Sequence, residues 1–169
     1  GGEVWGGLPC WGWVVRDGWN FDPADPTATP EQRASWENTT GFLAQLTVRS
    51  ARDGSSGLPG FPLYALWAMR DATEEDADKT SQTAARLAAL WVRYAGEELW
   101  RLSVAGQTFP ERTAIPGGRY SADREWRGFS EDRWAVWKAG LEAALGSYGE
   151  GDDLIQAAVE RMGELERKG

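Results

Sequence analysis

Apolar side chains along this chain recur at three- and four-residue intervals, the period of one face of an α-helix. Thr29-Pro30-Glu31-Gln32 reads as a helix start: a threonine cap, a proline at the first helical position, and a glutamine placed to complete a capping box. Trp36, Thr39, Leu43 and Leu46 then fall on one stripe, and the Gly- and Ser-rich stretch from Arg52 to Gly60 reads as a loop. A helix resumes at Pro62 with Leu63, Leu66, Trp67 and Arg70 on one side. The acidic segment Glu74 to Lys79 reads as a solvated connection. Thr80 or Ser81 caps the longest helix, which carries Leu87, Leu90, Trp91, Tyr94, Leu99 and Leu102 until Gly106 stops it.

Residues 106–128 have two prolines and the Gly117-Gly118 pair, and predict a long irregular loop, functional or mobile. Ser130 caps the next helix, with Phe129 and Trp134 at hydrophobic-staple spacing and a stripe of Trp134, Trp137, Leu141 and Leu145. Asp153 and Gln156 open the last helix, striped by Ile155, Ala158, Met162 and Leu165. A further tryptophan-rich helix is expected from Trp5 to Asn20, with Pro9 in its first turn. Alternating β-branched runs are absent. The expectation is an all-α fold: a single compact bundle of about six helices with a Trp-rich core, spanning 1–169 as one domain. Leu63-x-Ala65-Leu66-Trp67 recurs as Leu87-x-Ala89-Leu90-Trp91, but two copies do not make a repeat array, and shared core patterning explains them.

Composition narrows the chemistry. The 169 residues include eleven tryptophans and no histidine, which removes histidine-based catalysis and histidine metal sites. Buried indoles want a partner for their N–H, so a core of this kind should be tied at many polar points. The net charge of −8 argues against nucleic acid and against an anionic membrane surface. Cys10, the one cysteine, rules out an intrachain disulfide and a Cys-rich zinc site, and it reads as a structural thiol in a reducing compartment, cytoplasm or nucleus. The run Leu8 to Val15 is too short to span a bilayer, and no signal-peptide pattern is present. Asp71, Glu74, Glu75, Asp76 and Asp78 lack the glycine and terminal glutamate of a calcium loop. No cofactor and no metal are expected.

Polar residues on apolar stripes are the candidates for a site. Arg70 and Glu98 should both point inward, and Arg16 and Asp17 lie one turn beyond Trp13. They are either mutual props, such as an Arg70–Glu98 ion pair, or the floor of a pocket lined by Trp13, Trp67, Trp91 and Trp134. An aromatic cage for an organic cation and a sugar site with paired carboxylates lack diagnostic spacing. Arg112, Arg119, Arg124 and Arg127 in the long loop alternate with acidic residues and read as a solvated surface.

Five segments carry a family resemblance. They are Leu8-Pro9-Cys10-Trp11-Gly12-Trp13 with Arg16-Asp17, then Trp36 to Ala44, Leu63 to Ala72, Trp91 to Leu99, and Arg133-Trp134-Ala135-Val136-Trp137-Lys138. In order and spacing they resemble a domain of unknown function found mostly in filamentous fungi. The arginine–tryptophan–x–x–tryptophan element after Gly128-Phe129 is its most distinctive part. The resemblance implies a soluble, intracellular helical protein and no assigned reaction. It also implies helical sequence before the Leu-Pro element, so the chain is expected to be the C-terminal portion of a longer protein, with a surface near its N-terminus open for association. The function read from the sequence is a non-catalytic helical module that binds an unknown protein or small molecule. The alternative is a small histidine-free enzyme with a carboxylate/arginine pair in a tryptophan-lined pocket.

Overall fold

The computed structural model describes residues 25, 27–53, 61–110, 113–148 and 152–168. Among them are five α-helices, not six: α1 (Pro30–Asp53), α2 (Phe61–Thr73), α3 (Gln82–Val104), α4 (Glu131–Tyr148) and α5 (Asp153–Lys168), with one 3₁₀ turn at Gly118–Tyr120. The helix expected at residues 5–20 lies outside the described residues. No strand occurs among them; the one β element is an isolated bridge between Thr108 and Gly128.

The helix ends follow from their capping residues. Thr29 and Gln32 exchange the two bonds of a capping box, Thr29 N to Gln32 Oε1 at 2.8 Å and Gln32 N to Thr29 Oγ1 at 3.2 Å. Ser81, rather than Thr80, caps α3 by accepting from Ala84 N at 3.1 Å. At the other end Gly106 adopts φ +63°. Its N–H reaches Ser103 O at 3.1 Å and Gln107 N reaches Leu102 O at 3.0 Å, the paired closing bonds of a Schellman motif. A left-handed residue is needed there, which is why glycine ends the helix. Ser130 Oγ accepts from Arg133 N at 3.4 Å at the start of α4.

Helix α3 is the axis of the bundle and packs against all four others. It is buried nearly all round, with Ala85, Ala88, Ala89, Trp91, Val92, Ala95 and Leu99 essentially sealed. Small residues set these crossings. A Cβ added at Gly96 would meet Leu165 of α5 at 3.2 Å, and one at Gly140 of α4 would sit 2.5 Å from Thr73 Cβ of α2. On α2 the buried residues are Phe61, Ala65, Leu66, Ala68, Met69, Ala72 and Thr73; of the expected stripe Leu66 is sealed, while Leu63, Trp67 and Arg70 are half-buried at the edge of that face. Alanines share the sealed face with Leu66 and Met69, and periodicity weighted by side-chain size placed only part of it. Tyr94, expected on the α3 core stripe, is 41% exposed.

The rings form a chain through one side of the core. Trp100 and Trp134 lie 5.3 Å apart, Trp134 and Trp137 6.5 Å, Phe129 meets Trp137 edge-on at 5.6 Å, and Phe109 lies 6.0 Å from Phe129. Among the described residues three indoles are tied: Trp67 to Thr113 O at 2.7 Å, Trp126 to Asp132 at 2.8 Å and Trp137 to Glu74 at 2.6 Å. Trp91 and Trp134 bury their N–H groups without a hydrogen-bond acceptor among the described residues. The expectation of polar anchoring therefore holds for some rings and not for others.

Candidate functional site

The strongest polar arrangement is a buried ion pair that the acidic-connection reading missed. Glu74 directly follows α2, and Arg133 lies in the first turn of α4; both side chains are 0% exposed. A carboxylate at a helix C-terminus and a guanidinium at an N-terminus each oppose the local helix dipole. Their mutual bonding outweighs this. Arg133 Nε donates to Glu74 Oε1 at 2.7 Å and Nη2 to Oε2 at 3.0 Å, a bidentate fork. Its other donors go to Ala114 O at 2.9 Å, Gly128 O at 2.8 Å and Ile115 O at 3.1 Å. Glu74 also accepts from Trp137 Nε1 at 2.6 Å and from Gly117 N at 2.8 Å. Trp126 and Trp137 place their rings 5.2 and 5.5 Å from the guanidinium carbon, one contact each.

This node organises the long irregular segment between α3 and α4. Gly117 is required because a Cβ would lie 2.7 Å from Glu74 Cβ and from its carbonyl oxygen. Arg119 N closes on Glu74 O at 3.0 Å, and Gly118 N on Glu75 Oε2 at 3.2 Å. Phe109 N to Arg127 O and Phe129 N to Gln107 O, both 2.8 Å, clip the two ends of the segment together. Irregular backbone is here tied at several points by charged and main-chain bonds. Glu74 is thus a buried clamp, and its reading as part of a solvated connection is corrected.

A second ion cluster ties three helices. Arg86 of α3 donates to Glu37 of α1 at 2.7 and 3.2 Å and to both oxygens of Asp152, just before α5, at 2.9 and 3.0 Å. Hydrogen bonding to Glu37 raises the already high Arg86 pKa further against the opposing effect of burial. Arg86 therefore stays charged at any ordinary pH.

An open concavity among the described residues lies elsewhere. A cleft of about 510 Å³ lies among the C-terminal half of α1, the middle of α3, and α5, with Arg52, Arg93, Tyr94, Glu98, Arg101 and Arg161 on its walls. Arg101 holds Glu98 through a bidentate pair at 2.8 and 2.7 Å. Arg161 reaches Glu97 at 2.6 Å and Glu164 at 3.0 Å. Arg93 lies 5.7 Å from the centroid of the Tyr94 ring. Among the described residues Arg52, exposed on the last turn of α1, has no ion-pair partner.

A family model for proteins of unknown function, DUF3632, matches residues 1–141. The chain belongs to that family. No curated protein matches the chain. No solved structure matches it either. The DUF3632 match contains Glu74, Arg133, Trp137 and the whole intervening segment, so the buried clamp lies inside the family region. It stops short of α5, so Arg161 on the cleft wall lies beyond it.

Within this DUF3632 fold the described members of the expected site, Arg70, Glu98, Trp67, Trp91 and Trp134, do not share the described cleft. Arg16, Asp17 and Trp13 lie outside the described residues, as does Cys10. Arg70 is half-buried and bonds its neighbour Asp71 at 3.4 Å, whereas Glu98 pairs with Arg101; the Arg70–Glu98 pair is not formed. Trp67 sits half-buried over the Thr113 carbonyl, and Trp91 and Trp134 are sealed in the core. Of the named set, Glu98 alone lines the described cleft. Arg119 stacks on Tyr120 at 5.7 Å, and Arg124 on Trp126 at 5.5 Å. The pattern that flagged Arg70 and Glu98 applies equally to Arg133, which stands one helical turn from Phe129 and from Trp137. Glu74 has no such signal, since its partner is remote in sequence and is brought to it only by the fold.

Among the described residues, no group of three or more His, Cys, Asp or Glu is arranged to hold a metal ion. None of the described helices is long and apolar enough to cross a membrane.

Proposed function

We propose that this protein is a non-catalytic helical binding module whose ligand site is the cleft among α1, α3 and α5. One observation carries the reading: the described buried charges of the core are saturated by one another, and a concavity large enough for a small molecule lies apart from them. All five Arg133 donors are used, and Glu74 accepts four bonds. Neither has capacity left for a reacting group. The cleft's volume of about 510 Å³ falls within the range of small-ligand sites. The alternative, a carboxylate–arginine catalyst, would draw on Glu98 and Arg101 there. Both Glu98 oxygens are already held by Arg101, which favours structure over proton transfer.

A single cysteine supports action in a reducing compartment, the cytosol or nucleus, and the sequence resemblance supports a fungal source. The test is a fluorescence and thermal-shift screen against a metabolite panel, repeated on Tyr94→Ala. A compound that stabilises the wild-type protein and loses its effect in the variant supports the cleft. Hits that act equally on both proteins, or turnover of any panel member, overturn the reading.

A further inference from the structure

We propose that the cleft takes a small organic anion, a carboxylate or phosphate carried on a flat or apolar body. Arg52 and Arg93 are its charge partners, and Tyr94 is the surface on which the body rests. The inference rests on the reading of the cleft as the ligand site and adds what that ligand is.

Charge favours an anion. The chain as a whole carries −8, yet the cleft is lined by four arginines, Arg52, Arg93, Arg101 and Arg161, against two glutamates, Glu97 and Glu98. The glutamates are committed, Glu98 to Arg101 and Glu97 to Arg161. Arg161 is additionally held by Glu164. Two cations therefore remain: Arg52, with no ion-pair partner among the described residues, and Arg93, in contact with the Tyr94 ring. Among the described lining residues a cationic ligand would find no available carboxylate. An anion would find two guanidiniums, the side chain best suited to planar, two-pronged bonding of carboxylate or phosphate oxygens.

Shape favours a flat or apolar body. Tyr94 is 41% exposed in the middle of the most deeply buried helix of the bundle. Its ring edge lies flush against α1, since a Cβ on Gly41 would be only 3.2 Å from Tyr94 Cε2. Tyr94 lines the cleft together with Val48 and Ala51. A ring or short apolar body placed there removes apolar surface from water while its acid group reaches the arginines. Nucleic acid does not fit: one small basic concavity on a strongly acidic protein lacks the extended positive track that phosphate backbones need.

The experiment is calorimetric titration of the full chain with phenyl phosphate and benzoate, alongside inorganic phosphate and phenol. The variants are Arg52→Ala/Arg93→Ala, which removes two exposed side chains, and Tyr94→Ala. At least one aromatic anion is expected to saturate, weaken with added salt, and bind at least tenfold more weakly to the double variant. The better of phenyl phosphate and benzoate names the acid group. Tyr94→Ala is expected to weaken that anion at least tenfold, and phenyl phosphate to the level of inorganic phosphate. Anion binding that is indifferent to the double variant overturns the inference. Saturation by phenol with none by either anion also overturns it while leaving the cleft a ligand site. Silence from all four probes and from the metabolite panel removes both readings.

Discussion

Glu74 shows how much one side chain decides here. Removing one partner of a buried ion pair strands the other charge, which costs about 3–5 kcal/mol. Glu74→Gln should therefore lower unfolding free energy by about that amount in urea titration. Substituting both partners by apolar residues often restores stability elsewhere, but it should not do so here. In Glu74→Leu/Arg133→Met the carbonyls of Ala114, Ile115 and Gly128 and the N–H groups of Trp137 and Gly117 all lose a partner. A double variant as stable as wild type would show that the pair matters only to itself. If Glu74→Gln does not fold, Trp137→Phe, which removes one bond to Glu74, should fold with a smaller loss. Asp132 offers a pH readout at the same scale. Burial pushes its carboxyl up, but hydrogen bonds from Ser130 and Trp126, with the Arg133 N–H and Arg124, outweigh this and hold its pKa below the ordinary 3.8. A depressed folded-state pKa contributes stability above the unfolded pKa and loses it as pH falls through the folded one. The stability gap between wild type and Asp132→Asn should thus be constant near neutrality and close only in acid below the ordinary carboxylate range. A gap that already closes between pH 5 and 6 would contradict the depressed pKa.

Glycines separate two kinds of element contact. At Gly128 an added Cβ would fall 1.9 Å from the Gln107 carbonyl oxygen, whereas at Gly146, near the end of α4, nothing lies within 4 Å. Gly146→Ala should stabilise by up to about 1 kcal/mol, the ordinary gain of alanine over glycine in a helix. Gly128→Ala should cost more than about 2 kcal/mol, because backbone must move and the bridge to Thr108 breaks. Thermal melts of the two variants, shifted in opposite directions, would confirm the contrast; matching shifts would refute it. Element identity itself was largely legible. The Thr29 box, the Ser130 cap and the Gly106 stop are local signals whose geometry depends on residues within one turn, and the helices begin and end where those residues place them. Which face of α2 turns inward was legible only in part, at Leu66, because the rest depends on how α3 and α4 both pack against it, a property of several elements.

Across the whole molecule, the clamp joins the ends of α2 and α4 to the segment between α3 and α4. Amides of Gly117, Arg119, Phe109 and Phe129 all donate to acceptors in that network. In Glu74→Gln these amides should lose protection from hydrogen exchange ahead of the α3 interior, as a local opening. If both sets fall together, the clamp supports the whole bundle rather than this segment. The candidate cleft belongs to the same scale. Residues from α1, α3 and α5 meet there, and its arginines are spread from Arg52 to Arg161 with no motif linking them.

Sequence alone determined the all-helical class, the capping chemistry, the ring-rich core and the absence of histidine chemistry, since each depends on composition or on neighbours within a turn. It also carried the family membership, through motifs read in order. Tertiary structure decided which charges are buried and with whom. Arg133 meets Glu74 across 59 positions of chain, and Glu98 turns to Arg101 rather than Arg70. Pairing of this kind depends on helix crossings and loop closure, and helical periodicity records only that a residue faces inward, never what waits there.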